Sequence, residues 1–340
     1  MIIRCKAPLR IGLAGGGTDV SPYSDLYGGA ILNASINLNA YAMIQPRTDG
    51  KIIFQSNDKN EKIELADASL VTIDGQLDLL KGVYQCVQNN FCTQPLSFEL
   101  STFVDAPAGS GLGTSSTLVV AILGAFVELL NLPLGEYDIA KLAYDIERKQ
   151  LNMAGGKQDQ YAATFGGVNF MEFYADDKVI VNPLRIREKY LNELQNNLLL
   201  YYTGTSRLSA SIIDAQTKNV NDKKEKSIDA MHKLKEQSVM MKEALLKGNL
   251  DAIGEILDFG WKYKKQMAAE ISNPLIDEIY TAAIKSGATG GKISGAGGGG
   301  FMIFYCPKNT RYQVMNALQS FGGEFKRYQF SEKGMTSWSI

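Results

Sequence analysis

The sequence contains a single histidine, His232, among its 340 residues. A serine or cysteine nucleophile activated by histidine would have to use this residue, which lies in a charged segment of helical pattern far from any glycine-rich loop. The scarcity of histidine therefore argues against hydrolases of the Ser-His-Asp and Cys-His types. Any acid–base catalysis has to rely on carboxylates, lysine or tyrosine.

Cysteine is also scarce, and its spacing points to no special chemistry. The four cysteines lie at positions 5, 86, 92 and 306, without a C-x-x-C pair. Zinc sites and disulfide frameworks need clustered cysteines, so this pattern indicates ordinary reduced thiols. The first residues lack a basic segment followed by an apolar stretch, which does not read as a secretory signal. We therefore expect a cytoplasmic protein.

The sequence has no excess of charge of either sign. Its 35 Lys and Arg residues balance 36 Asp and Glu residues, giving a formal net charge of −1. Binding to a phosphate backbone needs clustered positive charge, so no nucleic-acid partner is predicted. The longest uncharged stretch, residues 106–127, is mostly Gly, Ser, Thr and Pro in its first half, and its apolar remainder is too short to cross a bilayer. No membrane partner is predicted either.

The length of the chain favours two domains, because one hydrophobic core rarely grows beyond about 250–300 residues. We expect a strand-rich domain over residues 1–178 and a domain of helices and strands over residues 179–340. The charged helical segments between residues 222 and 271 are either a solvated surface or an oligomer interface, so an oligomer is possible. Apolar spacing predicts strands over 31–45, 51–55, 97–103, 168–173 and 301–305, and helices over 118–131, 137–151, 222–247, 250–271 and 311–321.

Glycine, in contrast, is abundant, with 33 residues. Much of it lies in three clusters, which we name glycine loop 1 (residues 12–19), glycine loop 2 (residues 107–116) and glycine loop 3 (residues 290–300). Each cluster is either an independent flexible turn or part of one ligand site that the fold assembles.

Glycine loop 2 has the pattern of a phosphate-binding loop. Its alternating glycines allow backbone N–H groups to point at a ligand, and the loop leads into a predicted helix whose N-terminus favours an anion. The hydroxyls of Thr114, Ser115 and Ser116 fall in the first turn of that helix, where one could bind Mg²⁺. The alternative is ordinary helix capping by these hydroxyls.

Two common nucleotide-binding motifs are excluded. The sequence has no G-x-x-x-x-G-K-[ST], so it is not a P-loop protein by motif. Glycine loop 3 contains the letters G-x-G-x-x-G, but a predicted strand follows it, whereas the dinucleotide-binding motif is followed by a helix.

Three ordered segments resemble the motifs of the GHMP kinases: A-P-x-R with G-G-G-T-D over residues 7–19, P-x-G-x-G-L-G-T-S over residues 107–115, and K-x-S-G-A-G-G-G-G over residues 292–300. The resemblance implies an α+β, two-domain GHMP kinase fold, with an N-terminal domain like domain 2 of ribosomal protein S5 and a ferredoxin-like C-terminal domain. It also implies an ATP-dependent small-molecule kinase. Its expected ATP-binding residues are Pro107, Gly109, Ser110, Gly111, Leu112, Gly113, Thr114, Ser115 and Ser116.

The same resemblance implies a catalytic base and a metal ligand. Asp159 matches the family aspartate that faces the acceptor hydroxyl, and Glu147 with Ser115 matches the Mg²⁺ ligands. Arg10 occupies the position of a basic residue close to that aspartate. From the residues alone, Glu147 could be a solvated helix residue, Asp159 a helix N-cap and Arg10 a surface arginine. Because galactokinases carry arginine at the position of Arg10, the resemblance leans toward a sugar acceptor.

The acceptor is narrowed further by a resemblance to the GHMP kinases that phosphorylate the anomeric hydroxyl of D-glycero-D-manno-heptose 7-phosphate. The similar segments are G-G-G-T-D-x-x-P-Y over residues 15–23 and Y-T-G-T-S-R over residues 202–207. The alternatives are another sugar kinase, such as a fucokinase or galactokinase, and a non-catalytic ligand sensor. Lys157 and Arg207 are candidates for holding a substrate phosphate. The full set of expected substrate-binding residues is Gly17, Thr18, Asp19, Tyr23, Arg207, Gly297 and Gly298.

Overall fold

A computed structural model describes residues 1–205 and 209–340 of the chain. Within these ranges an eight-stranded sheet contains the strand order β12-β1-β2-β5-β3-β4, and β6 pairs with both β2 and β7. All of its pairs are antiparallel except β3 with β5. The strands are β1 (Ile3–Ala14), β2 (Gly29–Pro46), β3 (Ile52–Ser56), β4 (Glu61–Leu65), β5 (Phe98–Val104), β6 (Val168–Phe173), β7 (Val179–Pro183) and β12 (Thr336–Ser339).

Helices that belong with this sheet come from the first half of the chain. They are α1 (Tyr23–Tyr27), α2 (Asp78–Phe91), α3 (Thr114–Leu130), α4 (Glu136–Asp145) and α5 (Gln158–Phe165). The helix α3 is apolar around most of its circumference, and it packs against β1 and β2 with its first three turns almost entirely buried. This burial fixes the end of glycine loop 2 over the sheet. No helix among the described residues is both long and apolar enough to cross a membrane.

A smaller four-stranded sheet, in the order β11-β8-β10-β9, forms the second half of the structure. Its strands are β8 (Leu198–Tyr202), β9 (Gly290–Ile293), β10 (Phe301–Tyr305) and β11 (Glu324–Phe325). The helices are α6 (Glu188–Asn197), α7 (Ser209–Asn221), α8 (Glu225–Lys247), α9 (Ala252–Lys264), α10 (Pro274–Lys285) and α11 (Arg311–Leu318). The helix α9 packs against β9 and α8 and also contacts β1, so it joins the two halves.

The first sheet includes strands from beyond the expected domain boundary. The strand β7 pairs with β6, and β12 returns to the edge of the first sheet to pair with β1. The boundary expected near residue 178 falls between β6 and β7, two paired neighbours. We therefore propose that the first domain continues through Pro183 and is completed by the C-terminal strand.

Each strand and helix predicted from apolar spacing is present, with two instructive differences in extent. The structure also contains elements that the spacing did not predict, among them α2, α6, α10 and β8. The helix expected over 137–151 is α-helical only to Asp145 and continues as a π-helical turn, Ile146–Gln150. The helix expected over 250–271 ends at Lys264. Beyond it, the Met267 carbonyl accepts hydrogen bonds from the Asn219 amide and the Ser227 hydroxyl, at 2.7 and 2.8 Å. These tertiary contacts compete with continued helical hydrogen bonding.

Candidate active site

The three glycine loops meet at the junction of the two sheets. The Lys292 ammonium of loop 3 donates a hydrogen bond of 2.7 Å to the Gly12 carbonyl of loop 1. The Ser294 hydroxyl of loop 3 donates one of 2.8 Å to the Gly111 carbonyl of loop 2. The expectation that the fold gathers these loops around one site is therefore confirmed.

Loops 2 and 3 approach so closely that glycine is required at their contact. A Cβ atom on Gly111 would lie 2.4 Å from the Ser294 carbonyl oxygen, and one on Gly295 would lie 2.6 Å from the Gly111 Cα. Both glycines also have positive φ angles, 85° and 73°. Any side chain here would separate the loops.

A cavity of about 610 Å³ opens where the loops converge. Its walls come from all three glycine loops, the start of α3, the segment 147–159, α7 and the end of α9. A cavity of this size, lined by elements from both sheets, is typical of a small-molecule site between domains.

Arg10 and Asp159 form an ion pair on the wall of the cavity. The Nε and Nη2 atoms of Arg10 each lie 2.7 Å from Oδ1 of Asp159. The Nη1 atom of Arg10 donates a hydrogen bond of 2.5 Å to the Gly111 carbonyl. The structure thus brings together the two residues expected to be catalytic and attaches them to glycine loop 2.

The position of Arg10 follows from an irregularity in β1. The pairing register of β1 with β2 shifts between Pro8 and Arg10, and the Arg10 N–H then bonds to the Leu112 carbonyl at 3.1 Å. Proline cannot donate to a sheet ladder, so such a shift is common beside it. The shifted register leaves Arg10 paired with Ser35 of β2 while its backbone N–H bonds to glycine loop 2.

The N-terminus of α3 presents unpaired backbone donors to the cavity. Its N-cap residue, Gly113, has a φ of 80° and offers no side-chain cap. Thr114, Ser115 and Ser116 all line the cavity in the first turn. Capping was the alternative role for these hydroxyls, but a residue in the first turn lies inside the helix rather than at the N-cap position. The geometry suits an anion at this helix end.

Some of the other residues of glycine loop 2 line the cavity, and the rest hold the loop in its conformation. Gly109, Gly111 and Gly113 line the cavity. Ser110 and Leu112 are fully buried, and Leu112 belongs to the hydrophobic core. The Pro107 carbonyl accepts the Ser110 N–H at 3.2 Å, which tightens the turn. Pro107 and Leu112 therefore shape the loop and do not line the cavity.

Glu147 is a fully buried carboxylate in the π-helical turn, and it lines the cavity. Its Oε2 accepts a hydrogen bond from the Gln160 amide, whereas Oε1 has no hydrogen-bond partner among the described residues. Burial raises the pKa of Glu147, and the nearby Arg148 guanidinium, 3.7 Å from Oε1, partly opposes this. A buried acceptor atom without a donor fits a site for a divalent cation.

The described residues contain no group of three or more His, Cys, Asp or Glu side chains able to hold a metal. This does not conflict with Mg²⁺, which usually keeps several waters and binds through one or two carboxylates together with substrate phosphates. Glu147 and the Ser115 hydroxyl, which also lines the cavity, fit that minimal set.

Asp19 is a second buried carboxylate on the cavity wall, only 2% exposed. Its Oδ2 accepts the Gln158 N–H at 3.0 Å. Burial raises its pKa, and the Asp159 charge adds to this effect. Gly17 lines the cavity beside it. Gly17 and Asp19, which the sequence predicted to contact the substrate, therefore both line the cavity.

Two other residues predicted to contact the substrate, Thr18 and Tyr23, do not line this cavity. The Thr18 hydroxyl is used by the backbone of Gly15 and Ala30, at 2.8 and 3.0 Å. The Tyr23 ring is buried, and its hydroxyl bonds to Nδ1 of His232 at 2.8 Å. These side chains stabilise the fold around loop 1 and do not line the cavity.

The remaining candidates also lie away from the cavity wall. Gly297 and Gly298 pack against the backbone of Ile271, whose carbonyl accepts the Gly298 N–H at 2.9 Å. The Lys157 ammonium pairs with Asp25 and Asp177, at 3.2 and 3.3 Å, so it is not the expected phosphate ligand. Arg207 lies outside the residues that the structure describes.

The sequence analysis missed Lys264, which is 2% exposed and lines the cavity. Burial lowers its pKa to about 8, with Asp19 acting in the opposite direction. A signal was present, because Lys264 continues the buried face formed by Ile253, Leu257 and Trp261 at helical spacing. A lysine on an apolar helix face is unusual and marks a buried charge.

Comparisons with known proteins place the chain in a family. The family model for the GHMP kinases N terminal domain matches residues 78–167, and that for GHMP kinases C terminal matches residues 241–324. The D-glycero-alpha-D-manno-heptose 7-phosphate kinase of Campylobacter jejuni subsp. jejuni serotype O:2 is 47% identical to this chain over 338 residues, covering 99% of both proteins.

A solved structure and a more distant relative support the same family assignment. The crystal structure of a D-glycero-D-manno-heptose 1-phosphate kinase from Bacteroides thetaiotaomicron matches with a TM-score of 0.85 and 44% identity, covering 99% of each chain. The bifunctional fucokinase/GDP-fucose pyrophosphorylase of Arabidopsis thaliana is 27% identical over 312 residues, which are 88% of this chain and 29% of that protein. The family matches, the near-complete similarity and the convergence of the glycine loops establish that this chain belongs to the GHMP kinase family.

Proposed function

We propose that this protein is an ATP- and Mg²⁺-dependent cytoplasmic sugar kinase that phosphorylates the anomeric hydroxyl of D-glycero-D-manno-heptose 7-phosphate, giving the 1,7-bisphosphate. The observation that carries the kinase chemistry is the Arg10–Asp159 pair beside the uncapped N-terminus of α3 in one cavity. The acceptor follows from the 47% identity to a heptose 7-phosphate kinase along nearly the whole chain.

Glycine loop 2 and the first turn of α3 would bind the ATP phosphates. Backbone N–H groups and the helix dipole suit the negative charge, and the glycines leave room for the phosphates to approach. Glu147 and Ser115 would hold Mg²⁺, which supplies charge neutralisation between the phosphates when it is bound. The raised pKa of Glu147 expresses the cost of burying this carboxylate in the absence of a cation.

Asp159 would accept the proton from the anomeric hydroxyl as its oxygen attacks the γ-phosphorus and the bond to the ADP oxygen breaks. Arg10 holds this carboxylate in position through two nitrogen atoms. The same guanidinium stabilises negative charge on the transferring phosphoryl group. Asp19 would accept hydrogen bonds from ring hydroxyls and orient the sugar.

The direct test is an ADP-release assay with ATP, Mg²⁺ and a panel of acceptors. The panel contains heptose 7-phosphate, heptose 1-phosphate, unphosphorylated heptose, galactose, fucose and mevalonate. We expect the highest kcat/KM with heptose 7-phosphate and a product whose new phosphate is lost in mild acid, as expected for an anomeric ester.

Three other results of this assay would each support a different function. Preference for heptose 1-phosphate would favour the activity in the name of the Bacteroides protein. Preference for fucose would favour a fucokinase, in line with the more distant Arabidopsis relative. Sugar binding without ADP release from any acceptor would favour a non-catalytic sensor.

A further inference from the structure

Lys264 is a buried cation for which the described residues supply no counter-ion. Its ammonium faces the cavity, and none of the residues in the ranges 1–205 and 209–340 forms an ion pair or a hydrogen bond with it. Neighbouring cations are already engaged. Arg10 pairs with Asp159, and the Lys292 ammonium donates to the Gly12 carbonyl. An unpaired buried charge is costly, so it persists where a ligand supplies the opposite charge.

The carboxylate that acts most strongly on Lys264 does not satisfy it. Asp19 is buried on the same cavity wall, but its Oδ2 atom accepts the Gln158 N–H at 3.0 Å and it makes no ion pair with Lys264. Arg10 and Lys292 add positive charge nearby, and Asp214 lies exposed on the cavity wall. The cavity wall therefore carries the cations Arg10 and Lys264 together with two buried or half-buried carboxylates, Asp19 and Asp159.

A second donor without a partner among the described residues borders the same glycine loop as Lys264. Gln216 of α7 is 2% exposed and lines the cavity, and its Nε2 has no hydrogen-bond partner among the described residues. Both side chains border glycine loop 1. A Cβ on Gly16 would lie 3.6 Å from the Lys264 Nζ, and a Cβ on Gly17 would lie 3.4 Å from the Gln216 Oε1. The ammonium of Lys264 and the amide of Gln216 thus both lie against glycine loop 1.

We infer that Lys264 and Gln216 bind the phosphate that the acceptor sugar already carries, and so select a phosphorylated sugar over a neutral one. This inference rests on the proposed kinase function and names the residues for its substrate class. A phosphate monoester offers several acceptor oxygens and negative charge, which match one ammonium and one amide N–H₂ group. Lys157, the earlier candidate, is already paired with two carboxylates.

The test compares phosphorylated and unphosphorylated heptose in Lys264→Met. Methionine keeps much of the side-chain volume and removes the charge, so the folded state is retained. We expect KM for heptose 7-phosphate to rise on the order of 100-fold, as for loss of a charge-assisted hydrogen bond. Calorimetric binding of heptose 7-phosphate without ATP should weaken equally. The KM for unphosphorylated heptose and the dissociation constant for ADP should stay within about two-fold of the wild-type values. ADP binding also shows that the variant is correctly folded.

Two further variants sharpen the result. Lys262→Met is the matched control, since Lys262 lies on the same helix with 67% of its side chain exposed and pairs with Asp258. We expect wild-type constants for it. Gln216→Leu should raise KM for heptose 7-phosphate by about ten-fold and leave that for heptose unchanged.

The outcomes separate this inference from the function on which it rests. If the wild-type enzyme prefers a neutral sugar, both are overturned. If it prefers heptose 7-phosphate but Lys264→Met affects both sugars equally, or neither, the kinase function stands and the assignment of Lys264 is overturned.

Discussion

The guanidinium of Arg10 lies 2.7 Å from the carboxylate of Asp159, although 149 positions separate the two residues in the sequence. Arg10 comes from β1 of the first sheet, and Asp159 comes from the first turn of α5. The pair is fastened to glycine loop 2 through the Gly111 carbonyl. The Arg10 side chain therefore positions both the candidate base, Asp159, and glycine loop 2.

Replacing Asp159 with asparagine should reduce kcat by roughly 10²- to 10⁴-fold, because the amide cannot accept the proton of the acceptor hydroxyl. Nucleotide affinity should remain unchanged, since Asp159 is not part of the expected phosphate loop. Steady-state kinetics and ADP titration measure the two effects. Asp229→Asn, at an exposed position on α8, is the control. Undiminished turnover of Asp159→Asn would refute the role of general base.

Replacing Glu147 with glutamine should weaken the response to Mg²⁺ but raise the thermal stability of the metal-free protein. The Mg²⁺ concentration for half-maximal activity should rise at least about ten-fold, because a metal ligand loses its charge. In the absence of Mg²⁺ the variant should melt at a higher temperature than the wild type near pH 7.5, because it no longer buries a carboxylate whose charge the Arg148 guanidinium, 3.7 Å away, only partly compensates. Unaltered Mg²⁺ dependence would remove Glu147 from the metal site.

The same variant should change how stability depends on pH. Because burial raises the pKa of Glu147 above its ordinary 4.5, the folded state holds this proton more tightly than the unfolded state. The resulting stabilisation is complete below the ordinary value and is lost as the pH rises through the raised pKa. The melting temperature of the metal-free protein should therefore fall less between pH 5 and pH 7.5 in Glu147→Gln than in the wild type.

Replacing Gly156 with alanine should impair the use of sugar. The new Cβ would lie 1.9 Å from the Asp19 Oδ2, so this carboxylate has to move. We expect kcat/KM for the sugar to fall by roughly 10- to 100-fold with little change in nucleotide affinity. Gly135→Ala is the control, because its φ is −82° and its Cβ would meet Asp138 only at 3.4 Å. Equal kinetics in the two variants would contradict a role for Asp19 in binding sugar.

The lowered pKa of Lys264, about 8, predicts a pH dependence for sugar phosphate. Above this value the ammonium loses its proton in the free enzyme, so kcat/KM for heptose 7-phosphate should fall as the pH rises from 8 to 9.5. Asp19, Arg10 and Lys292 are the charged groups around it. Unphosphorylated heptose should lack this decline, and Lys264→Arg should shift it to higher pH. A decline shared by both sugars would assign it to another group.

Part of the site could be predicted because its chemistry is local. The alternation of glycines before an apolar helix indicates a phosphate loop from nearest neighbours alone, and α3 begins at Thr114 as expected. The helix before Glu147 was also visible in the apolar spacing, although the π-helical turn that aims this residue was not. Such a turn depends on packing against other segments rather than on local preference.

The sequence by itself determined the helices and strands with clear apolar spacing, the three glycine loops and the short set of carboxylates able to act with them, because each depends on residues close in the chain. Only the tertiary structure decided which polar side chains face the cavity. Lys157 and Lys264 are both buried, yet the first pairs with Asp25 and Asp177 while the second faces the cavity. The partner of a charge depends on distances between remote segments, such as the 280 positions between Gly12 and Lys292, and no local pattern encodes them.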